Sequence, residues 1–172
     1  MIDPVADSMQ AESWFSALSK DGKKVFGIFN AAASGKVADK IVVIAHGLTG
    51  SPQDAMHQSA RKYFNERGYD VARIAFYNSD PDGRLLRDCT LQLHADDLNA
   101  VVDRFSGQYK KLFVAGHSYG GLSTLFANPD ATAISFWARR TGTVCATGVI
   151  VSVVMLYLVS PWLPAFRQVH GA

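Results

Sequence analysis

The sequence is short of the residues that mark several classes of protein. Its 172 residues include two cysteines, Cys89 and Cys145, whose wide spacing suggests neither a disulfide framework nor a metal site. Charge of one sign is not in excess, since 17 basic residues are scattered against 15 acidic ones, and this gives no electrostatic case for a nucleic-acid partner. Residues 1–14 hold acidic side chains and no apolar run of the kind a signal peptide needs, so a reducing, cytoplasmic location is expected.

What the sequence does have is a regular alternation of strand and helix patterns. Residues 40–45 form a continuous apolar run, which is typical of a strand buried on both faces. Apolar periodicity and turn residues predict the other elements, which are strands at 14–18, 24–29, 70–77, 111–115 and 131–137 and helices at 51–67, 91–105 and 119–127. This alternation predicts an α/β fold with a mainly parallel sheet flanked by helices.

The helix patterns also carry two local predictions. Ser51 suits the N-cap of the first helix and Pro52 its first turn. In the second helix, Asp96, Asp97 and Asp103 are predicted to form a solvated face.

The sequence Gly116-His117-Ser118-Tyr119-Gly120 ends a predicted strand and opens a predicted helix. In that context Gly-x-Ser-x-Gly is typical of a nucleophile elbow, a tight turn that holds a serine hydroxyl in the open. Gly116 and Gly120 leave room for backbone to pass where a Cβ would clash. Ser118 is therefore predicted as a nucleophile, and the alternative is a structural serine in a tight turn.

A second motif, His46-Gly47-Leu48-Thr49-Gly50-Ser51, follows an earlier predicted strand. Together with the motif at Ser118 it resembles the α/β-hydrolase superfamily, and the resemblance covers about residues 14–137. It implies a sheet of the predicted kind and hydrolysis of an ester or related acyl bond through a serine acyl-enzyme. The partner implied is a small-molecule acyl substrate, no cofactor or metal is implied, and the oligomeric state is left open.

The same resemblance implies an oxyanion hole made of two main-chain N–H groups. One belongs to the residue after the nucleophile, Tyr119, and the other to the loop after the earlier strand, where Leu48 is the candidate. Gly47 would let that loop turn an amide inward, and the positive end of the helix dipole at Tyr119 favours a developing oxyanion.

The remaining members of a catalytic triad are scarce. In this superfamily an acid and then a histidine follow the serine, and after Ser118 the chain holds one acidic residue, Asp130, and one histidine, His170. Asp130 precedes the predicted strand at 131–137 and is expected at the edge of the sheet opposite Ser118. His170 is left as the candidate base, and no acid is assigned.

The other four histidines are not predicted to act as the base. His46 is expected to shape its loop by hydrogen bonding, and His117 to point away from the side on which Ser118 lies. His57 and His94 lie on predicted helices, where a packing or solvent-facing role is expected.

Residues 141–166 contain no charged side chain. As a helix they would span about 39 Å, enough for a bilayer core of about 30 Å, with Arg139 and Arg140 before them and aromatic residues near the far end. That pattern fits a membrane anchor with the preceding domain on the cytoplasmic side. The alternatives are a last element packed on the sheet, or a tail foreign to the fold after a truncation or a change of reading frame.

Two domains and two functions follow from these observations. The chain is divided into an incomplete α/β-hydrolase core at 1–138 and an apolar segment at 139–172. The first hypothesis is a serine hydrolase. The second is a catalytically impaired or inactive α/β-hydrolase fold, with or without a membrane tether, that acts by binding.

Overall fold

The computed structural model describes residues 12–35, 37–137 and 157–158. The elements in these ranges are β1 (Ser13–Leu18), β2 (Lys24–Asn30), β3 (Lys40–Ala45), α1 (Ala55–Asn65), β4 (Asp70–Ala75), α2 (Leu91–Phe105), β5 (Lys111–His117), α3 (Tyr119–Ala127), β6 (Ala133–Trp137) and β7 (Tyr157–Leu158), with a short 3-10 turn at Leu86–Asp88. The strands form one sheet in the order β1-β2-β4-β3-β5-β6-β7. The four neighbours β4, β3, β5 and β6 are parallel, and β1, β2 and β7 add antiparallel at the sides. The predicted α/β fold with a mainly parallel sheet is confirmed.

The sheet buries both of its faces, as the apolar run at 40–45 predicts. Ile41 and Val43 pack in one core cluster with the apolar residues of α2. Val42 and Ile44 point the other way and pack with Phe64 of α1. The register pairs the end of β3 with the end of β5, so the loops that follow these two strands start side by side at the carboxyl edge of the sheet.

The predicted start of the first helix is wrong. The helix α1 begins at Ala55 instead of near Pro52, because residues 51–54 form a separate turn. In that turn the Ser51 N–H donates to Asp54 Oδ2 at 3.0 Å, and the Ser51 hydroxyl oxygen accepts the Gln53 N–H at 3.1 Å. Both side chains are thus used to close the turn before the helix starts.

The predicted solvated face of α2 is wrong at Asp97, whose side chain is 1% exposed. Its two oxygens accept hydrogen bonds from Arg84 Nε at 2.9 Å and Nη2 at 2.8 Å. The same guanidinium donates to Asp21 in the β1–β2 turn and holds the pKa of that carboxyl at about 2. Arg84 therefore joins the hairpin to α2, and removal of one partner of a buried pair of this kind destabilises by about 3–5 kcal/mol.

The apolar segment at 139–172 lies outside the described residues except for the backbone of Tyr157–Leu158, which pairs with Ala133 and Ile134 of β6. Within the described ranges no helix is both long enough and apolar enough to cross a bilayer. The three interpretations of this segment stay predictions.

Candidate active site

Ser118 lies between the end of β5 and the first residue of α3, and its backbone has φ 52° and ψ −117°. A positive φ at a residue other than glycine is a strained conformation that costs of order 1–3 kcal/mol. The Ser118 N–H donates to the Trp137 carbonyl at 2.9 Å, and the Ser118 carbonyl accepts from Gly121 at 2.9 Å and from Leu122 at 3.3 Å. These bonds fix the strained backbone and leave the residue exposed at the carboxyl edge of the sheet.

Two glycines near Ser118 lie where there is no room for a side chain. A Cβ at Gly116 would lie 2.6 Å from the Gly120 carbonyl oxygen and 2.7 Å from the Gly121 Cα. A Cβ at Gly120 would lie 2.5 Å from the carbonyl oxygens of both Ala45 and His46. The turn at Ser118 can therefore pack against the end of β3 only when both positions are glycine.

The loop after β3 contacts this turn at Gly47. A Cβ there would lie 3.2 Å from Ser118 Cβ and 3.3 Å from the His117 carbonyl oxygen. Leu48, the next residue, is 54% exposed. Tyr119 is the first residue of α3, and the first N–H groups of a helix have no acceptor within the helix. The structure thus brings the two loops that carry the candidate oxyanion donors into contact at Ser118.

His46 holds the loop after β3 by two hydrogen bonds. Its Nε2 accepts the Phe76 N–H at 3.2 Å, so the proton is on Nδ1, which donates to the Gly47 carbonyl at 2.7 Å. Burial lowers the pKa of His46 to about 4, and the ring is therefore neutral near pH 7. This contact agrees with the expected role of His46 in shaping the loop.

His57 and His94 are each 1% exposed, so of their two expected roles the solvent-facing one is excluded. His57 donates from Nδ1 to the Ser51 carbonyl at 2.9 Å, and its ring lies 5.9 Å from that of His117. His94 lies on α2, with its ring against Phe76 and Tyr119.

The burial of His94 could have been predicted from the sequence. Its spacing of four residues to Leu98 and seven to Val101 places it on the apolar face of α2. Asp97 also lies beside this face, but its partner Arg84 belongs to a loop, and no periodicity predicts that pairing.

The structure places Asp130, the acidic residue that follows Ser118 in the chain, at the opposite edge of the sheet from Ser118. Asp130 is exposed and lies just before β6, at the end of the sheet where Ala133 pairs with Phe113. Ser118 lies beyond the opposite end, after His117. His170 lies outside the described residues. In the described ranges no group of three or more His, Cys, Asp or Glu side chains could hold a metal ion.

No protein-family model matches the sequence, and no curated protein matches it significantly. Solved structures do match. A serine hydrolase without a lid from Xanthomonas campestris has a TM-score of 0.62 and 18% identity, over 73% of this chain and 60% of its own. Est1E from Butyrivibrio proteoclasticus has a TM-score of 0.56 and 26% identity, over 66% of this chain and 44% of its own. The bottromycin epimerase BotH has a TM-score of 0.56 and 18% identity, over 75% of this chain and 49% of its own.

This chain spans less than two thirds of the length of each of these proteins. The shared architecture is that of the α/β-hydrolases, so the fold predicted from the motifs at His46 and Ser118 is confirmed. The matched proteins include an epimerase as well as hydrolases, and a fold alone does not specify a reaction.

Proposed function

We propose that this chain, which has the α/β-hydrolase fold, is a serine hydrolase that cleaves an ester or related acyl bond through Ser118. The observation that carries the proposal is the strained backbone of Ser118, with φ 52°, at the exposed tip of a strand-to-helix turn. Strain of this kind persists only where the surrounding structure imposes it, and it clusters at active sites. Here the glycine contacts and the three main-chain hydrogen bonds of Ser118 impose it.

In the proposed reaction, Ser118 Oγ attacks the carbonyl carbon of the ester while its proton passes to a base. The oxyanion that forms accepts hydrogen bonds from the N–H groups of Leu48 and Tyr119, each worth about 3–4 kcal/mol. Collapse of this intermediate releases the alcohol with the proton and leaves an acyl-enzyme. Water then attacks the acyl-enzyme, which releases the carboxylic acid and restores the serine.

The base and the substrate complete the proposal. His170 is the candidate base because it is the histidine that follows Ser118 in the chain. A small-molecule acyl substrate is supported by Est1E, a structure of which holds ferulic acid. A cytoplasmic location is proposed, with a tether through 141–166 as the alternative.

A fluorophosphonate probe tests the nucleophile directly, because the serine oxygen displaces fluoride and forms a stable phosphonate ester. We expect the full chain to be labelled and Ser118→Ala not to be labelled. Ser59→Ala is the matched control, since Ser59 is an exposed serine on the surface of α1 and should leave labelling unchanged. A wild-type chain that is not labelled would contradict the proposal.

The base is tested separately by His170→Ala in the same assay. Loss of the base of a serine hydrolase lowers turnover by about as much as loss of the whole triad, so we expect labelling to fall to near the level of Ser118→Ala. Wild-type labelling of His170→Ala would remove His170 from the mechanism and leave Ser118 in place.

A second candidate function is binding without turnover by an impaired hydrolase fold. It is favoured by the position of Asp130, the acidic residue after Ser118, at the opposite end of the sheet. It predicts that the probe labels nothing although the protein is folded. Its tethered form further predicts retention in membranes after an alkaline carbonate wash, whereas release into the supernatant excludes the tether.

A further inference from the structure

Five aromatic rings connect the two loops that meet at Ser118, and we call this set the aromatic bridge: His46, Phe76, Tyr77, His94 and Tyr119. His46 lies edge-on to Phe76 at 5.2 Å and to Tyr77 at 5.1 Å between ring centroids. His94 stacks on Phe76 at 4.3 Å with an interplanar angle of 10° and lies edge-on to Tyr119 at 5.5 Å. The bridge therefore runs from the loop after β3, past the end of β4, to the first residue of α3.

Within the described ranges, ring contacts hold the His94 side chain and no hydrogen bond does. It is 1% exposed, and neither of its ring nitrogens has a hydrogen-bond partner among the described residues. Burial lowers the pKa of His94, Arg84 adds to this effect and Asp97 opposes it, so the ring is neutral near pH 7. Buried polar groups without a partner are rare in native proteins and require an explanation.

Tyr119 is joined to the aromatic bridge through His94. Its ring contacts the ring of His94, which in turn contacts both Phe76 and Tyr77. His94 thus adds a side-chain contact to the first turn of α3, whose backbone is also held by the main-chain hydrogen bonds of Ser118 and by the packing of Gly120 on the end of β3.

We propose that His94 is a positioning residue that sets the direction of the Tyr119 N–H relative to the loop after β3. This rests on the proposed function, in which the two loops supply the oxyanion donors. An oxyanion donor acts only within a narrow range of distances from the developing charge. A misplacement of about 1 Å lowers a rate by about a hundredfold. Loss of the ring therefore acts on the transition state and leaves substrate affinity unchanged.

The test compares His94→Ala, which removes the ring, with His94→Phe, which keeps an aromatic ring without nitrogen atoms. With p-nitrophenyl acetate as substrate, we expect His94→Ala to lower kcat by about tenfold to a hundredfold, with KM changed by less than about twofold. We expect His94→Phe to restore kcat to within about threefold of the wild type, because ring contact rather than hydrogen bonding is what His94 supplies.

Val101→Ala is the matched control for simple loss of packing. Val101 is also fully buried on α2 but lies outside the aromatic bridge. Below the melting temperatures of both variants, Val101→Ala should keep the wild-type kcat. A wild-type kcat for His94→Ala, a failure of His94→Phe to restore activity, or an equal loss in Val101→Ala would overturn the role of His94.

A second readout separates this inference from the proposed function. If the wild type neither turns over nor labels, the proposed hydrolase is contradicted, and the residual dipolar coupling of the Tyr119 N–H bond in a weakly aligned sample still reports the direction of that bond. This coupling should change in His94→Ala and stay the same in Val101→Ala. An unchanged Tyr119 coupling in His94→Ala would overturn the positioning role whether or not the chain is active.

Discussion

The two edges of the parallel sheet use unusual backbone in opposite ways. At the amino edge, Gly68 and Gly107 both have φ +76°, and an added Cβ at either would meet no atom within 4 Å. At the carboxyl edge, positive φ falls on Thr49 and Ser118, at 59° and 52°. The amino edge thus places positive φ on glycines and on Asn128, residue types that tolerate it, whereas the carboxyl edge holds Thr49 and Ser118 in strain.

Each edge of the sheet also buries polar side chains, with different partners. At the amino edge, the Asp70 carboxylate accepts the Ala32 N–H and the Tyr109 hydroxyl, each at 2.7 Å. At the carboxyl edge, His46 is held neutral with a lowered pKa, and the ring nitrogens of His94 have no partner among the described residues. The difference in backbone teaches that strained conformations of residues other than glycine lie around Ser118, as at sites kept for function rather than stability.

The largest difference between the two edges is expected when one glycine at each edge is replaced by alanine. Gly120→Ala would place a methyl group 2.5 Å from two carbonyl oxygens, so we expect it to lower the free energy of unfolding by about 4 kcal/mol. Gly68→Ala, the control, adds a methyl group in open space at positive φ and should lower it by about 1 kcal/mol. Urea denaturation measures both, and equal losses would show that the edges do not differ in this way.

The dependence of stability on pH tests the burial of His46 at the carboxyl edge. His46 has a pKa of about 4 in the fold and about 6.5 in the unfolded chain, so between these values the unfolded chain binds a proton that the fold does not. The contribution of neutral, buried His46 to the free energy of unfolding is therefore complete above pH 6.5 and falls by about 3 kcal/mol as the pH drops to 4. Thermal melting of wild type and His46→Gln checks this.

The variant should lose stability less steeply with falling pH across that window, whatever its stability at pH 7. The lowered pKa of Asp21, about 2, affects stability only below this range, so it does not interfere. Parallel curves for the two proteins would contradict the assignment.

The smallest expected effect isolates the strain at Ser118. Ser118→Gly relieves the positive φ, whereas Ser118→Ala keeps a Cβ and the strain. We expect the free energy of unfolding of Ser118→Gly to be about 1 kcal/mol higher than that of Ser118→Ala. The relief of backbone strain exceeds the cost of the extra entropy that glycine has in the unfolded chain. Neither variant carries a nucleophile, and chemical denaturation compares them directly. Equal free energies of unfolding for the two variants would contradict the presence of backbone strain at Ser118.

Much of the fold was predictable because it depends on local patterns. The apolar run at 40–45 and the motif at Ser118 each predict an element that the structure contains. The start of α1 was not predictable from Ser51 and Pro52, because the Asp54 carboxylate and the Ser51 hydroxyl close a competing turn.

The candidate site was predictable only in its parts. Strand-to-helix context identified Ser118, and the glycine contacts with Ala45 depend on a register between distant strands. Asp97 was misjudged because its partner Arg84 belongs to a loop, whereas the burial of His94 follows from its spacing along α2. Contacts between elements carry the information that periodicity within one element lacks.

The central position of β3 has a consequence for synthesis on the ribosome. Its parallel neighbours β4 and β5 both come later in the chain, and Gly47 meets a serine about 70 residues further on. Pairings between distant segments form slowly. Until β5 emerges, residues 41–45 remain an apolar, β-prone run with one side unpaired, which favours association between nascent chains. A nascent chain stalled before Lys111 is therefore expected to need a chaperone that binds extended apolar segments.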